Sequence, residues 1–124
     1  MAKLFIDSDV LIDFLRGDEK TREQLTQASE QMIPCCSVIN IAEILTGMKK
    51  GEEEKTFDLI DSLSSFPVTQ EIAELAGELK RTIRSHSLEL DDCLIAATVL
   101  TEGGSLLTKN KKHYPMKDLT LSDL

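Results

Sequence analysis

Short apolar runs alternate with helix-spaced segments along the whole chain, and that alternation restricts the fold more than any other feature. Leu4-Phe5-Ile6, Ile33-Pro34-Cys35-Cys36, Phe66-Pro67-Val68 and Ser105-Leu106-Leu107-Thr108 read as strands. Each is separated from the next by at least one helical pattern. Strands joined through helices pair in parallel, so the sequence predicts a three-layer α/β/α domain with a mainly parallel sheet. Leu119-Thr120-Leu121 adds a short last strand at an edge, giving four or five in all. With 124 residues and no repeat or linker, the chain reads as a single domain over residues 1–124.

The boundaries follow from local chemistry. Gly17-Asp18 breaks the first helix, and residues 19–31 form a polar helix held by Leu25, Ala28 and Met32. Proline at position 34 places the second strand's start, or an edge, there. Ser37 is positioned to cap an almost wholly apolar helix from Val38 to Met48, closed near Gly47. Gly51-Glu52-Glu53-Glu54 is a solvated helix start, its acids opposing the positive end of the helix dipole. Thr69 caps a helix whose Ile72, Leu75, Ala76, Leu79 and Ile83 form one apolar stripe. Lys80, Arg81 and Arg84 belong to its solvated face, with an RNA or partner contact as the lesser alternative, and His86 reads as a surface loop residue. Asp91-Asp92 opens a buried helix that Gly103-Gly104 ends.

Acids recur where a parallel sheet gathers its ligands, at the carboxyl ends of strands. Asp7 and Asp9 follow the first strand, Asp91-Asp92 begin the last long helix and Asn110 follows the fourth strand. Glu43 lies among Ile41, Ala42, Ile44 and Leu45, where a charge costs several kcal/mol unless paired or metal-bound. Each acid alone has a plain use as a cap or an ion-pair partner. Together they do not: two carboxylates about 4 Å apart repel by about 4 kcal/mol at an effective dielectric of about 20. A cluster of oxygen donors without His or Cys suits Mg²⁺ or Mn²⁺ rather than Zn²⁺.

Charge narrows the field further. Fourteen Lys and Arg against 22 Asp and Glu leave −8, which excludes a broad basic face as the means of holding nucleic acid. Either the partners are cationic or a metal bridges an anionic substrate. Cys35, Cys36 and Cys93 lie in apolar runs with no C-x-x-C pair, as expected of buried thiols in a reducing cytoplasm. No apolar run approaches the ~20 residues of a membrane span, and no signal-peptide pattern begins the chain. The expectation is a cytoplasmic protein without membrane contact.

Four blocks then carry a resemblance. Asp7-Ser8-Asp9-Val10-Leu11-Ile12, Ser37-Val38-Ile39-Asn40-Ile41-Ala42-Glu43-Ile44-Leu45-x-Gly47, Asp92-x-Leu94-Ile95-Ala96-Ala97-Thr98 and Leu107-Thr108-Lys109-Asn110-x-x-His113-Tyr114 together resemble PIN-domain proteins. Among these the chain is most similar to the VapC-type toxins of bacterial and archaeal toxin–antitoxin pairs. The resemblance implies sheet order 3-2-1-4-5 and an endoribonuclease dependent on Mg²⁺ or Mn²⁺. It puts Asp7, Glu43 and Asp92 on the family's core acids, as catalytic residues and metal ligands. Asn110 takes the fourth catalytic position, and Asp9 and Asn110 are further ligands, the latter through water. Ser8, Ser37 and Thr108 match small hydroxyl positions. Ser8, Thr108, Lys109, Lys111, Lys112 and Arg16 are the candidate substrate contacts. The implied partners are RNA, a VapB-like antitoxin whose basic segment suits the acidic cleft, and a second copy of the chain. The spacing to Leu94-Ile95-Ala96-Ala97 favours Asp92 as ligand and Asp91 as helix cap.

Two rivals remain at this stage. Asp7-Ser8-Asp9-Val10 also resembles the nucleophile motif of haloacid-dehalogenase-like phosphatases, with Asp7 as nucleophile, Asp9 as acid/base and Asp91-Asp92 on magnesium. That reading leaves Glu43 unexplained in a chain short for the fold. The other rival is a non-catalytic PIN-fold binding module, in which a core acid should be missing; none is.

Overall fold

The computed structural model describes residues 1–85 and 88–123; His86, expected at the surface, lies outside the described residues. The elements run β1 (Ala2–Ile6), α1 (Ser8–Leu15), α2 (Glu19–Gln31), β2 (Met32–Ser37), α3 (Val38–Thr46), α4 (Glu53–Ser62), β3 (Ser64–Phe66), α5 (Gln70–Thr82), α6 (Leu90–Glu102) and β4 (Ser105–Leu107), then a 3₁₀ turn at Lys111–His113. All strands are parallel, in the order β3-β2-β1-β4. The chain adds β2 and β3 on one side of β1, then crosses to add β4 on the other. Strand order therefore reverses at β1, and the crevice beyond its carboxyl end is where an open α/β sheet binds ligands.

Alternation along β1 sets the two outer layers. Phe5 faces α5 and α6 and packs with Ile72, Ala76, Ile95 and Leu106. Leu4 and Ile6 face the opposite way, against Val10, Leu11, Leu25, Ile44 and Leu59. Successive strand side chains point to opposite faces, so a central strand buried on both sides must be apolar throughout. No helix among the described residues is long and apolar enough to cross a membrane. All three cysteines are free and buried, and burial pushes the Cys36 thiol up to about 11.

Three expectations need correction. The third strand occupies Ser64–Phe66, not Phe66–Val68. Its register with Cys35, Cys36 and Ser37 ends where Pro67, which has no N–H, would have to donate to the ladder. The fifth strand shrinks to one parallel bridge, Leu106 to Leu121, beside β4; Leu106 N donates to Thr120 O at 2.9 Å and Ser122 N to Leu106 O at 2.8 Å. The third change concerns α3, which is not enclosed: Asn40 and Ile44 face inward, while Val38 and Ala42 are exposed and Ile41 and Leu45 half-buried. Pro34 pairs only with β1, because β3 joins the sheet one residue later, at Cys35.

The turn into β4 depends on Gly104, whose φ is +134° and where an added Cβ would meet Lys3 O at 2.5 Å. Gly17 has φ +85° with nothing within 4 Å of an added Cβ. Gly104→Ala is expected to cost about 2–4 kcal/mol, strain plus clash, and Gly17→Ala about 1 kcal/mol from strain alone. Urea denaturation of both variants checks the ordering.

Candidate active site

Asp7 leaves β1 with its backbone N–H donating to Leu107 O at 2.9 Å and becomes the N-cap of α1. Its carboxylate is 7% exposed and fully engaged. Oδ1 accepts from Ser8 N at 2.9 Å and, more weakly, from Asn40 Nδ2 at 3.4 Å. Oδ2 accepts from Thr108 Oγ1 at 2.8 Å. The β1–β4 register, which pairs Ile6 with Leu107, is what sets Thr108 opposite Asp7.

Asn40 is the hub that sequence reasoning missed. It is 1% exposed, accepts from Ser37 N through Oδ1 at 3.1 Å, and donates to Ser8 Oγ at 2.9 Å. Ser8 Oγ in turn donates to Glu43 Oε1 at 2.6 Å. Asn40 and Glu43 stand three residues apart, so one face of α3 carries both. A lone amide in an apolar helix, one turn before the acid, was the available signal. Ser37 caps α3 through its own Oγ, which accepts from Ile39 N at 3.1 Å.

An open depression of about 310 Å³ is lined by Asp7, Ser8, Asp9, Ile12, Glu43, Glu89, Asp91, Asp92, Asn110 and His113. It unites Asp7, Glu43, Asp92 and Asn110 from distant stretches of chain. Asp9 is tied down by Val10 N at 2.7 Å, Lys109 N at 3.0 Å and Asn110 Nδ2 at 3.1 Å. Thr108 Oγ1 also accepts from Asn110 N at 3.1 Å. Glu89 and His113 are additions the sequence reading did not place here, and Asp91, expected as a helix cap, lines it too.

The expected cap of α6 is corrected. The helix starts at Leu90 with Glu89 as its N-cap, and the Asp92 carboxylate accepts from Glu89 N at 3.4 Å. Asp91 is therefore free of the capping role; it accepts from Asp92 N at 3.0 Å and shares a hydrogen bond with Glu43.

Crowding shows in the acidities. Burial, then the Asp91 hydrogen bond, push Glu43 up to about 7, against the opposing hydrogen bond from Ser8. Burial, then the charge of Asp91, push Asp92 up to about 6. Asp9 is raised by burial and by Asp7. A divalent cation would relieve all three, and the all-oxygen donor set fits Mg²⁺ or Mn²⁺. Among the described residues no three such side chains already form a cage, since Glu43 is turned onto Ser8 and Asp91. The donors fit the ion; the carboxylates must rotate to take it.

The basic candidates are placed differently. Lys109 Nζ pairs with Asp13 and donates to Thr21 Oγ1 at 3.0 Å, and Lys111 Nζ pairs with Asp123 at 3.2 Å. Lys112 is exposed on the 3₁₀ turn. Arg16 lines a separate groove with Leu15, Met48, Lys49 and Lys55.

Comparison with known proteins returns a single family. The family model described as PIN domain matches residues 4–119. A protein named Ribonuclease VapC10, from Mycobacterium tuberculosis, is 38% identical over 91% of this chain and 86% of its own length. Ribonuclease VapC19 of the same organism is 30% identical over 90% and 91%. Among solved structures, a toxin–antitoxin complex from Klebsiella pneumoniae superposes with a TM-score of 0.81 at 25% identity, covering 98% of this chain and 97% of that one. A VapBC2 structure from Rickettsia felis, bound to a promoter DNA fragment, shares the fold with a TM-score of 0.76 at 20% identity, covering 96% of each chain.

The raised acidities set a pH dependence. Glu43 and Asp92 bind protons more tightly folded, at about 7 and about 6, than their ordinary values of 4.5 and 3.8. Between those limits the folded state holds more protons, so stability falls as pH rises. Asp18 and Glu52, both held low by hydrogen bonds, titrate below this window. Without divalent ions the thermal midpoint is expected to be higher at pH 5.5 than at pH 8, and Glu43→Gln to flatten the slope. Melting curves across that range check it; a midpoint climbing with pH would contradict the crowded-acid account.

Proposed function

The chain belongs to the PIN-domain family, in its VapC branch, and we propose that it is a metal-dependent endoribonuclease acting as the toxin of a toxin–antitoxin pair. The carrying observation is the convergence of Asp7, Glu43, Asp92 and Asn110 on one depression at the strand-order reversal. Similarity to proteins named ribonucleases supports nuclease activity. Similarity to a toxin–antitoxin complex supports an antitoxin partner.

Asp7 and Asp92 would be the principal ligands of Mg²⁺ or Mn²⁺, with Glu43, Asp9 and Asn110 completing the set directly or through water. Bound there, the ion lowers the pKa of water and offsets charge on the scissile phosphate. The chain's own residues do the rest. Ser8, Asn40 and Thr108 would keep Asp7 beside the depression and limit how far its carboxylate can turn. Glu43, whose pKa is raised while the site holds no ion, would lose its proton as a cation binds. Asn110 offers an amide rather than a charge, so a second ion, were one to bind, would be held weakly there. Lys112, with Lys109 and Lys111 once released from Asp13 and Asp123, would meet the RNA backbone.

The outward apolar residues of α3, Val38, Ile41, Ala42 and Leu45, suit burial against a second copy of the chain or the antitoxin. The net charge of −8 favours an antitoxin segment that is basic. The phosphatase reading gives Glu43 and Asn40 no task, and the binding-module reading gives no reason to retain every acid.

Cleavage by this route leaves 5′-phosphate and 3′-hydroxyl ends, because the RNA 2′-hydroxyl is not the nucleophile. Asp92→Asn is expected to lower cleavage by about 100-fold or more with the fold intact. End-group analysis and single-turnover cleavage check both; a 2′,3′-cyclic phosphate product would refute the mechanism.

A further inference from the structure

Tyr114 is the one tyrosine in a chain that has no tryptophan. Its ring is 4% exposed and packs in the cluster that includes Phe5, Ile95 and Leu106. Phenylalanine would fill that space equally well. The hydroxyl, however, is the single buried side-chain polar atom among the described residues with no hydrogen-bond partner. An unpaired buried hydroxyl costs about 1–3 kcal/mol, so its presence needs a reason.

Its surroundings supply one. The hydroxyl faces the Asp7 carboxylate closely enough for a weak interaction, with Asp92 and Glu43 nearby, but meets the geometry of a full hydrogen bond with none of them. Asp7 is meanwhile held by Ser8 N, Thr108 Oγ1 and the long contact from Asn40. A carboxylate only accepts, so the phenol O–H is the group that would donate between the two. An under-used donor thus stands beside the carboxylate expected to hold a cation.

We propose that Tyr114 is a positioning residue for Asp7: when the carboxylate turns toward a divalent ion, the Tyr114 O–H donates to it and fixes its angle. The proposal rests on the metal-dependent reading of the site. Outer donors to ligating carboxylates commonly set metal affinity by 10–100-fold. With no tryptophan present, tyrosine fluorescence reports this one side chain.

The test titrates Mg²⁺, and Mn²⁺ by calorimetry, into the native chain and Tyr114→Phe. The native protein is expected to change its tyrosine fluorescence with the same midpoint as the Mg²⁺ isotherm. Tyr114→Phe is expected to bind either ion about 10-fold more weakly, with its ion-free thermal midpoint unchanged or raised. Equal affinity in the variant overturns the proposal, even if its ion-free stability falls, since that outcome marks a merely structural tyrosine. Fluorescence unmoved by saturating Mg²⁺ overturns it too. A native chain that binds neither ion sinks the metal reading itself and this inference with it, which distinguishes the two failures.

Discussion

Repulsion among carboxylates at the end of β1 is the constraint around which this molecule is arranged. Asp7 sits in the most buried part of the group and is matched by backbone and side-chain donors from α1, α3 and the segment after β4. Each of those donors is itself secured: Asn40 by Ser37, Ser8 by Asn40, and Thr108 by its register beside Asp7. Farther out, Glu43 and Asp92 each have a single side-chain or backbone donor and answer with raised affinity for protons. A charged network built this way is stable only when something cationic, a proton or a metal, completes it.

Two helices begin at this place, which moderates the repulsion. The first turns of α1 and α6 carry Asp9, Asp91 and Asp92 where unpaired backbone N–H groups and the positive helix ends favour negative charge. The same positions explain why the sequence alone was ambiguous, since an acid at a helix start serves as a cap whether or not it binds anything. Geometry separates the roles: Glu89 caps α6, and Asp91 turns to Glu43.

The layers, strand direction and order of the first four strands were legible because alternation and helical spacing reflect which faces are buried. The third strand was misread because edge pairing follows backbone register and the missing N–H of Pro67, not side-chain apolarity: Ser64 and Ser65 are exposed. The fifth failed as a strand because one residue pair is all the ladder receives. α3 read as enclosed because composition counts apolar residues without saying how many sides have neighbours. At the site, the principal acids were identifiable from their spacing and their family pattern. Asn40, Glu89, His113 and Tyr114 were not, and Asp91 was read as a cap, because their parts depend on three-dimensional neighbours.

The acids come from positions 7, 43 and 92, and Asn110 from position 110, so nearly the full length of the backbone is needed to bring them together. Nicking α3, or peeling α6 from the sheet, dismantles the pocket as completely as global denaturation does. Any occupant that neutralises the acids therefore knits both flanks of the sheet to one another, and local opening of either flank must expel it. A piece that lacks any one of these stretches lacks part of the pocket's lining.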